Sequence, residues 1–464
     1  MAENTEVTMD KLTALAKQRG FVFQGSEIYG GLANSWDFGP MGTELKNNIR
    51  DWWWNRFVHR RPEMVGMDTA ILMSPKVWEA SGHLENFHDI KIDCMQCKAR
   101  HRADHLIENK MPEQKVEGLP PEELTEIIED EDIACPTCGS REWTDAREFN
   151  LLFKTGIGST EESANEVFMR PEIAQSIFTN FRKVLKTSRK TLPFGIAAVG
   201  RSFRNEITPG NFLFRTIEFE QMEIEYFVRE ENWEEHFDHW LEEMQTWLGD
   251  MNFDPERVRV REHTDDELSH YSDRTADLEY DTPFGWQEMF GLAYRTDYDL
   301  KQHMEESGVD MRYTDRHTNE KFLPHVVEPS LGLSRLVLMA MLDAYEEEAV
   351  GDGDKTRTVM RFHPRLAPYK IAVLPLSKKK GLPDIAKDLQ MKLTKRWYTD
   401  YDETQSIGKR YRRQDEVGTP YCITVDFDTL DDDQVTVRDR DSMEQDRVAI
   451  DELEEYFEEK FDWE

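Results

Sequence analysis

Residues 203–227 read FRNEITPGNFLFRTIEFEQMEIEYF: two strand-like stretches meet at a Pro-Gly turn, each holds an arginine, and carboxylates crowd the end. With 196–206 taken as one strand, period-two alternation sets Arg204 and Glu206 on one face. Beyond the turn the same rule sets Arg215, Ile217, Phe219 and Glu223 together. Guanidinium groups fork onto phosphate oxygens and a ring stacks on a base, so this face suits a nucleotide. Cross-strand salt bridges on a solvated sheet have the same pattern, and alternation alone leaves both readings open.

Outward from the hairpin, residues 149–340 carry more alternating apolar runs, such as FGIAAVGRSF, separated by helical stretches. They predict an α+β fold, a mainly antiparallel sheet with helices against it. Upstream, the turn-rich GSEIYGGLANSWDFGPMG leads into a helix, TELKNNIRDWWWNRFVHR, whose start Pro40 and Gly42 mark. Its run Trp52-Trp53-Trp54 is too bulky for one exposed face, so part of it is expected in a core or against a partner chain. Residues 90–148 look like an insertion into a first domain spanning 1–360. Two CxxC knuckles in it, Cys94 with Cys97 and Cys135 with Cys138, supply the four thiolates of a zinc ribbon. Reduced cysteines left from a lost site are the other reading. A polar stretch, YEEEAVGDGDKTRTVMRFHPRLAP, precedes a tail at 365–464 that opens on the buried-strand pattern YKIAVLPL and alternates helix with strand, an α/β domain. Cys422, within a strand, reads as a small core hydrophobe.

The 464 residues allow two or three domains, and 93 acidic against 58 basic side chains give a formal net charge of -35. A hydrophobic fraction of 38% with 11% aromatics argues for folded protein rather than disorder. The acidity reads either as a solvated surface or as adaptation to a salt-rich cytoplasm that screens self-repulsion. A nucleic-acid partner would have to meet a local basic patch, and SIGKRYRRQ at 406–414 offers one in Lys409, Arg410, Arg412 and Arg413. No run approaches 18 apolar residues and the N-terminus is polar, so neither a membrane span nor a secretory signal is expected, and a cytoplasmic location is.

FRNE followed by RTIEF resembles motif 2 of the class II aminoacyl-tRNA synthetases: fRxE, a variable loop, then R/HxxxF. The wider chain is similar to the homodimeric bacterial glycyl-tRNA synthetases in six segments that keep the family order. These are GFVFQGSEIYGGLANSWDFGPMGTELKNN, FMRPEIAQSIF, the hairpin, GWQEMFGLAYRTDYDL, HVVEPSLGLSRL and SIGKRYRRQDEVGTPYCITVDF. The resemblance implies a class II catalytic domain, a zinc-ribbon-like insertion and a C-terminal α/β anticodon-binding domain. It matches Arg204 to an arginine on the ATP α-phosphate and the amino acid carboxylate, and Glu206 to an acid on the adenine amino group. It matches Phe219 to the ring beneath adenine, Arg215 to an arginine on the far phosphates, and Arg335 to the motif 3 arginine. Glu288 matches an acid that helps position Mg2+ and ATP, although a lone carboxylate there also reads as structural. Asn205, Phe214, Met289 and Gly332 fall in the ATP-binding segments.

For glycine, the resemblance gathers Glu172, Glu223, Glu328 and Ser330 around the amino acid, with Phe219, Gln221 and Arg295 alongside. Carboxylates hold the ammonium, and their bulk closes the space a larger side chain would need. Arg102 matches another substrate-contact position and reads equally well as a tRNA or surface charge. The basic cluster at 409–413 is then a tRNA footprint. The implied reaction activates glycine with ATP to glycyl adenylate and passes glycine to the 3' end of tRNA(Gly), in a homodimer whose interface forms around Pro40. Two rivals differ: a non-catalytic nucleic-acid-binding relative, which would be expected to lose these arginines and acids, and a class II synthetase for another small amino acid, which EPSLG and the GSEIYGGLANSWDFGP opening disfavour. One departure stands out: the relatives generally read RTREF where this chain has RTIEF, with Ile217 in place of an arginine.

Overall fold

The structure is a computed structural model that describes residues 7–111, 114, 116, 118–158, 166–207, 210–349, 356–379 and 381–462. Its centre is a seven-stranded sheet built from β1 (Met64–Met67), β2 (Phe194–Phe203), β3 (Glu218–Val228), β4 (Val258–Glu262), β5 (Arg274–Thr282), β6 (Gly285–Thr296) and β7 (His325–Gly332). The spatial order is β4-β5-β6-β7-β3-β2-β1. Every neighbouring pair is antiparallel except β2 with β1 at the edge. Register sets Glu223 of β3 between Ala198 of β2 and Ser330 of β7, and Glu328 of β7 beside Ala293 of β6.

Three helices, α1 (Pro40–Trp54), α2 (Trp233–Asp250) and α3 (Leu333–Ala344), contribute to the large core against this sheet. The α3 sequence LSRLVLMAMLDA is apolar almost all round, and ten of its twelve residues are buried. Helix α1 starts at Pro40, three residues before the expected stretch, because proline tolerates the first helical position. Gly42 is therefore inside the helix, and its role is close approach: a Cβ there would meet Phe21 O at 2.0 Å. Trp52 and Trp53 are buried, as their bulk requires.

The hairpin differs from its reading in one respect. Its strands end at Phe203 and resume at Glu218, so Arg204, Glu206, Arg215 and Ile217 stand on a loop and alternation does not set their faces. The loop is pinned by backbone bonds from Arg204 N to Ile217 O (3.1 Å) and between Gly210 and Arg215 (3.1 Å each way). Pro209 of the expected turn lies outside the described residues.

Strands at His88–Asp93, Arg100–Arg102 and Arg147–Asn150 form a separate small sheet. Its core holds Ile92, Leu106, Ile107, Leu124, Ile128 and Trp143. The tail contains β8 (Ile371–Pro375), β9 (Thr399–Tyr401), β10 (Tyr421–Val425), β11 (Gln434–Asp439) and β12 (Gln445–Ala449), ordered β9-β8-β10-β11-β12. Its longer helices are α4 (Leu382–Leu393), α5 (Ile407–Val417) and α6 (Leu453–Lys460). Cys422 packs with Ala372 and Leu374, and burial raises its thiol pKa.

The polar stretch before the tail is ordered where described: Tyr345–Ala349 pairs antiparallel with Thr356–Met360. From this hairpin the buried Arg357 donates to Asp415 Oδ2 (3.0 Å) and to Arg440 O (3.0 Å). Arg440 in turn donates to Gly418 O (2.8 Å) and Phe362 O (2.9 Å), and Arg438 to Asp415 Oδ1 (2.9 Å). Among the described residues, no helix is long and apolar enough to cross a membrane.

Candidate active site

One cavity of about 380 Å³ opens on the central sheet. Fourteen of the residues expected to bind ATP or glycine line it: Glu172, Arg204, Glu206, Phe214, Arg215, Phe219, Gln221, Glu223, Glu288, Arg295, Glu328, Ser330, Gly332 and Arg335. Segments up to 163 residues apart in sequence therefore converge, because β3, β6 and β7 are neighbours in the sheet.

One end is rich in guanidinium groups and rings. Arg204 lies 5.4 Å from the Phe219 ring centroid and 5.3 Å from that of Phe87, and its Nε donates to Pro171 O (3.2 Å). Arg335, in the first turn of α3, lies 4.4 Å from the Phe214 ring. Its Nη1 meets Glu288 Oε2 at 3.1 Å and donates to Glu288 O at 3.0 Å. The Arg335 charge holds the Glu288 carboxyl below the usual range. The sequence reading missed the neighbouring pair His263 and Asp277, with Nε2 and Oδ2 2.7 Å apart. Burial and then the Glu288 charge push Asp277 up to about 6.

The other end is acidic and more deeply buried. Ser330 Oγ donates to Glu223 Oε1 at 2.9 Å, while the buried Glu223 Oε2 has no partner among the described residues. Burial, then the charges of Glu328 and Glu172, push Glu223 up to about 8. Burial also pushes Glu328 up to about 7, although Arg295 opposes it. Burial acts the same way on Glu172, but His83 and Arg295 outweigh it and hold that carboxyl well below the usual range. His83 Nε2 is 3.4 Å from Glu172 Oε2, and Gln175 Nε2 donates to both Glu172 (3.1 Å) and Asp299 (2.8 Å). Arg295, 1% exposed, gives its hydrogen bonds to acids: Nε and Nη2 to Asp299 (2.8 and 2.9 Å), Nη1 to both oxygens of Glu328 (3.0 and 3.1 Å). It holds the carboxyls in place as well as lining the cavity. Ser202 Oγ donates to Gln221 Oε1 (2.5 Å), which fixes that side chain.

Three expected contacts lie elsewhere. Met289 is fully buried in the core, because a register shift between Leu278 and Glu279 in the β5–β6 pairing leaves it without a cross-strand partner. Asn205 is outside the cavity lining, where its N donates to Leu151 O (2.8 Å). Arg102 belongs to the small sheet and is taken by Asp89 (3.1 Å) and Asp104 (3.1 and 2.5 Å). Ile217 also stands off the cavity.

The basic cluster of the tail divides on α5. Arg410 is buried and donates to Pro375 O (2.6 Å) and Asp402 O (3.2 Å), which removes it as a nucleic-acid contact. Arg413 is bound by Asp402. Lys409 and Arg412 are exposed. The four cysteines do converge: Cys94 and Cys138 Sγ are 3.6 Å apart, Cys97 and Cys135 3.8 Å, and all four lie within 4.8 Å of one another.

The family described as tRNA synthetase class II core domain (G, H, P, S and T) matches residues 153–345. An anticodon binding domain matches 370–460, and a glycyl-tRNA synthetase insertion domain 1 matches 113–151. The prolyl-tRNA synthetase of Cryptosporidium parvum, solved with L-proline and AMP, shares the fold at a TM-score of 0.65 and 13% identity, covering 99% of this chain and 79% of that one. The sheet, its cavity and these matches define a class II aminoacyl-tRNA synthetase. The glycine-tRNA ligase of Geobacillus thermodenitrificans is 58% identical, with 99% of this chain and 98% of that protein covered. That of Geobacillus kaustophilus is 59% identical, with 98% and 99% covered. The chain belongs to the glycine-tRNA ligase family.

Proposed function

We propose that the chain activates glycine with ATP and transfers it to the 3' end of tRNA(Gly), with the two ends of the cavity serving the two small substrates. The observation that carries this reading is that one cavity joins two sets of contacts: Arg204 on the Phe219 ring and Arg335 on the Phe214 ring, and the buried carboxyls Glu223, Glu328 and Glu172 held by Ser330, Arg295 and Gln175. A glycine oxygen attacks the ATP α-phosphorus and the bond to pyrophosphate breaks, so negative charge grows on phosphate oxygens where Arg204 can stabilise it. Arg335 and Arg215 hold the remaining phosphates and Phe219 supports the base. Glu223 Oε2, without a partner among the described residues, accepts from the glycine ammonium, and the bulk of the surrounding acids disfavours a larger side chain. No protein nucleophile is needed, since alignment and charge stabilisation carry both steps. Mg2+ arriving with ATP would neutralise phosphate charge, and Glu288 beside Arg335 is the residue to hold it.

The four-thiolate set fits Zn2+, which takes four such ligands in a tetrahedron and would close the 90–148 insertion. We read 1–360 as the catalytic domain and 365–464 as the anticodon-binding domain, with Lys409 and Arg412 touching tRNA. We place the protein in the cytoplasm as a homodimer. Exposed Ile28 and Tyr29, on the hairpin that feeds α1, suit a face covered by a second copy.

Glycine-dependent exchange of pyrophosphate into ATP tests the reading, from low to molar KCl. Exchange with glycine, lost by about 10² to 10³ in Arg204→Gln, is expected. No exchange with glycine at any salt concentration would refute it.

A further inference from the structure

Beneath the acidic end lies a carboxyl that the sequence reading did not single out. Glu225 is 0% exposed and does not line the cavity, yet one of its oxygens lies within 4.8 Å of an oxygen of Glu223 and of one of Glu328. Pairing of Glu223 with Ser330 and of Tyr226 with Val327 brings Glu225 beside Glu328 on the same face of the sheet. Neither Glu225 oxygen has a hydrogen-bond partner among the described residues. The charged groups acting on it are Glu223 on its own strand, Glu328 on β7, Arg295 on β6 and Asp299 on the helix Tyr298–Ser307. The one cation of this set, Arg295, already gives its bonds to Asp299 and Glu328.

An ionised carboxylate without donors, buried beside two more carboxyls, is unfavourable on every count. A protonated carboxyl in the same place has one donor and two acidic neighbours to receive it. We propose that Glu225 is a positioning residue that stands as an un-ionised acid and donates its O–H to the Glu223–Glu328 pair, so that both face the bound ammonium, whose charge favours their ionised forms, as carboxylates. Burial, followed by the Glu328 charge, raises its pKa well above the ordinary value, in the direction the geometry requires. The inference rests on the reading of the acidic end as the ammonium site. It adds that the site needs a neutral donor in its floor and that a further negative charge there, beside Glu172, Glu223 and Glu328, would be useless.

Two isosteric variants separate these roles in the full-length protein. Glu225→Gln keeps a neutral donor, and Glu225→Met keeps the volume without one. In pyrophosphate exchange, Glu225→Gln is expected within about threefold of wild type in glycine KM, and Glu225→Met about tenfold or more higher, with ATP KM unchanged in both. Equal damage in both variants, an unchanged glycine KM in Glu225→Met, or a parallel rise in ATP KM would overturn the proposal. A second readout does not depend on Glu225→Met folding. With glycine bound at about pH 8, the infrared carbonyl band of a protonated carboxyl is expected in wild type and missing in Glu225→Gln, and its absence from wild type would also overturn the proposal. Wild-type enzyme that fails to exchange with glycine would instead refute the function itself.

Discussion

Arg295→Met removes the cation that binds two buried acids while keeping most of the side chain's volume. Wild-type Arg295 makes four hydrogen bonds of 2.8 to 3.1 Å to Asp299 and Glu328 at 1% exposure, and its guanidinium stacks 3.8 Å from the Tyr271 ring centroid. Breaking a buried pair from one side costs roughly 3–5 kcal/mol, because the partner charge is left uncompensated. The pH dependence gives the sharper test. Glu328 is raised from 4.5 to about 7 even with Arg295 present, so the native state binds more protons than the unfolded chain between those values, and stability from this group falls as pH rises through them. Without Arg295 the native pKa moves higher, each unit adding about 1.4 kcal/mol to the deficit once pH exceeds it. At about pH 5.5 the carboxyl is largely protonated in the native state of either protein and the extra penalty is small. Urea unfolding followed by tryptophan fluorescence, with Trp240 and Trp247 buried in the core, is therefore expected to show a larger loss at about pH 8 than at about pH 5.5. A loss below about 1 kcal/mol, or the same loss at both pH values, would refute the account of Arg295 as the anchor of these acids.

Other expectations follow from separate parts of the molecule. Metal analysis should find one Zn2+ per chain, and Cys135→Ser should abolish it and loosen 90–148 to proteolysis; a metal-free wild type with an intact insertion would contradict this. Lys409→Glu with Arg412→Glu should weaken tRNA binding and flatten its salt dependence without changing pyrophosphate exchange, whereas Arg410→Met should lower stability. Equal tRNA loss from stably folded Arg410→Met would contradict the division of the cluster. With a net charge of -35, thermal stability should rise with KCl, and a flat or falling response would exclude self-repulsion as a significant term.

Strand alternation made the sheet legible, since FGIAAVGRSF and the later runs occupy β2, β3, β6 and β7. It misled where the backbone departs from the sheet. From Arg204 to Ile217 the sequence still looks strand-like, but the chain turns toward Asn34, whose O lies 3.5 Å from Ile217 N. Met289 was misplaced for a related reason, since a register shift in β5–β6 is a property of two strands and one sequence does not reveal it. Arg410 was readable in principle: Ile407, Arg410, Gln414 and Val417 recur at helical spacing and form the inward side of α5, a pattern the charges obscured. His263 and Asp277 meet only because β4 and β5 pair, so no local pattern marks them. Glu225 was visible as an acid two residues beyond Glu223, but its burial and lack of donors are facts of packing.

The arginines between the catalytic sheet and the tail set a mechanical condition on the enzyme. Arg357, Arg438 and Arg440 meet Asp415 and backbone carbonyls in fixed directions, and Gly418 (φ +82°) admits Phe362 so closely that a Cβ would lie 2.5 Å from it. An apolar seam could slide by a few ångströms at little cost, whereas this one would strand several guanidinium groups at once. The tail is thus held as one arm of a caliper, and the span from α5 to the cavity is a built-in length. If the tail contacts tRNA as proposed, that fixed length sets how far apart the tRNA's two contacts would have to lie.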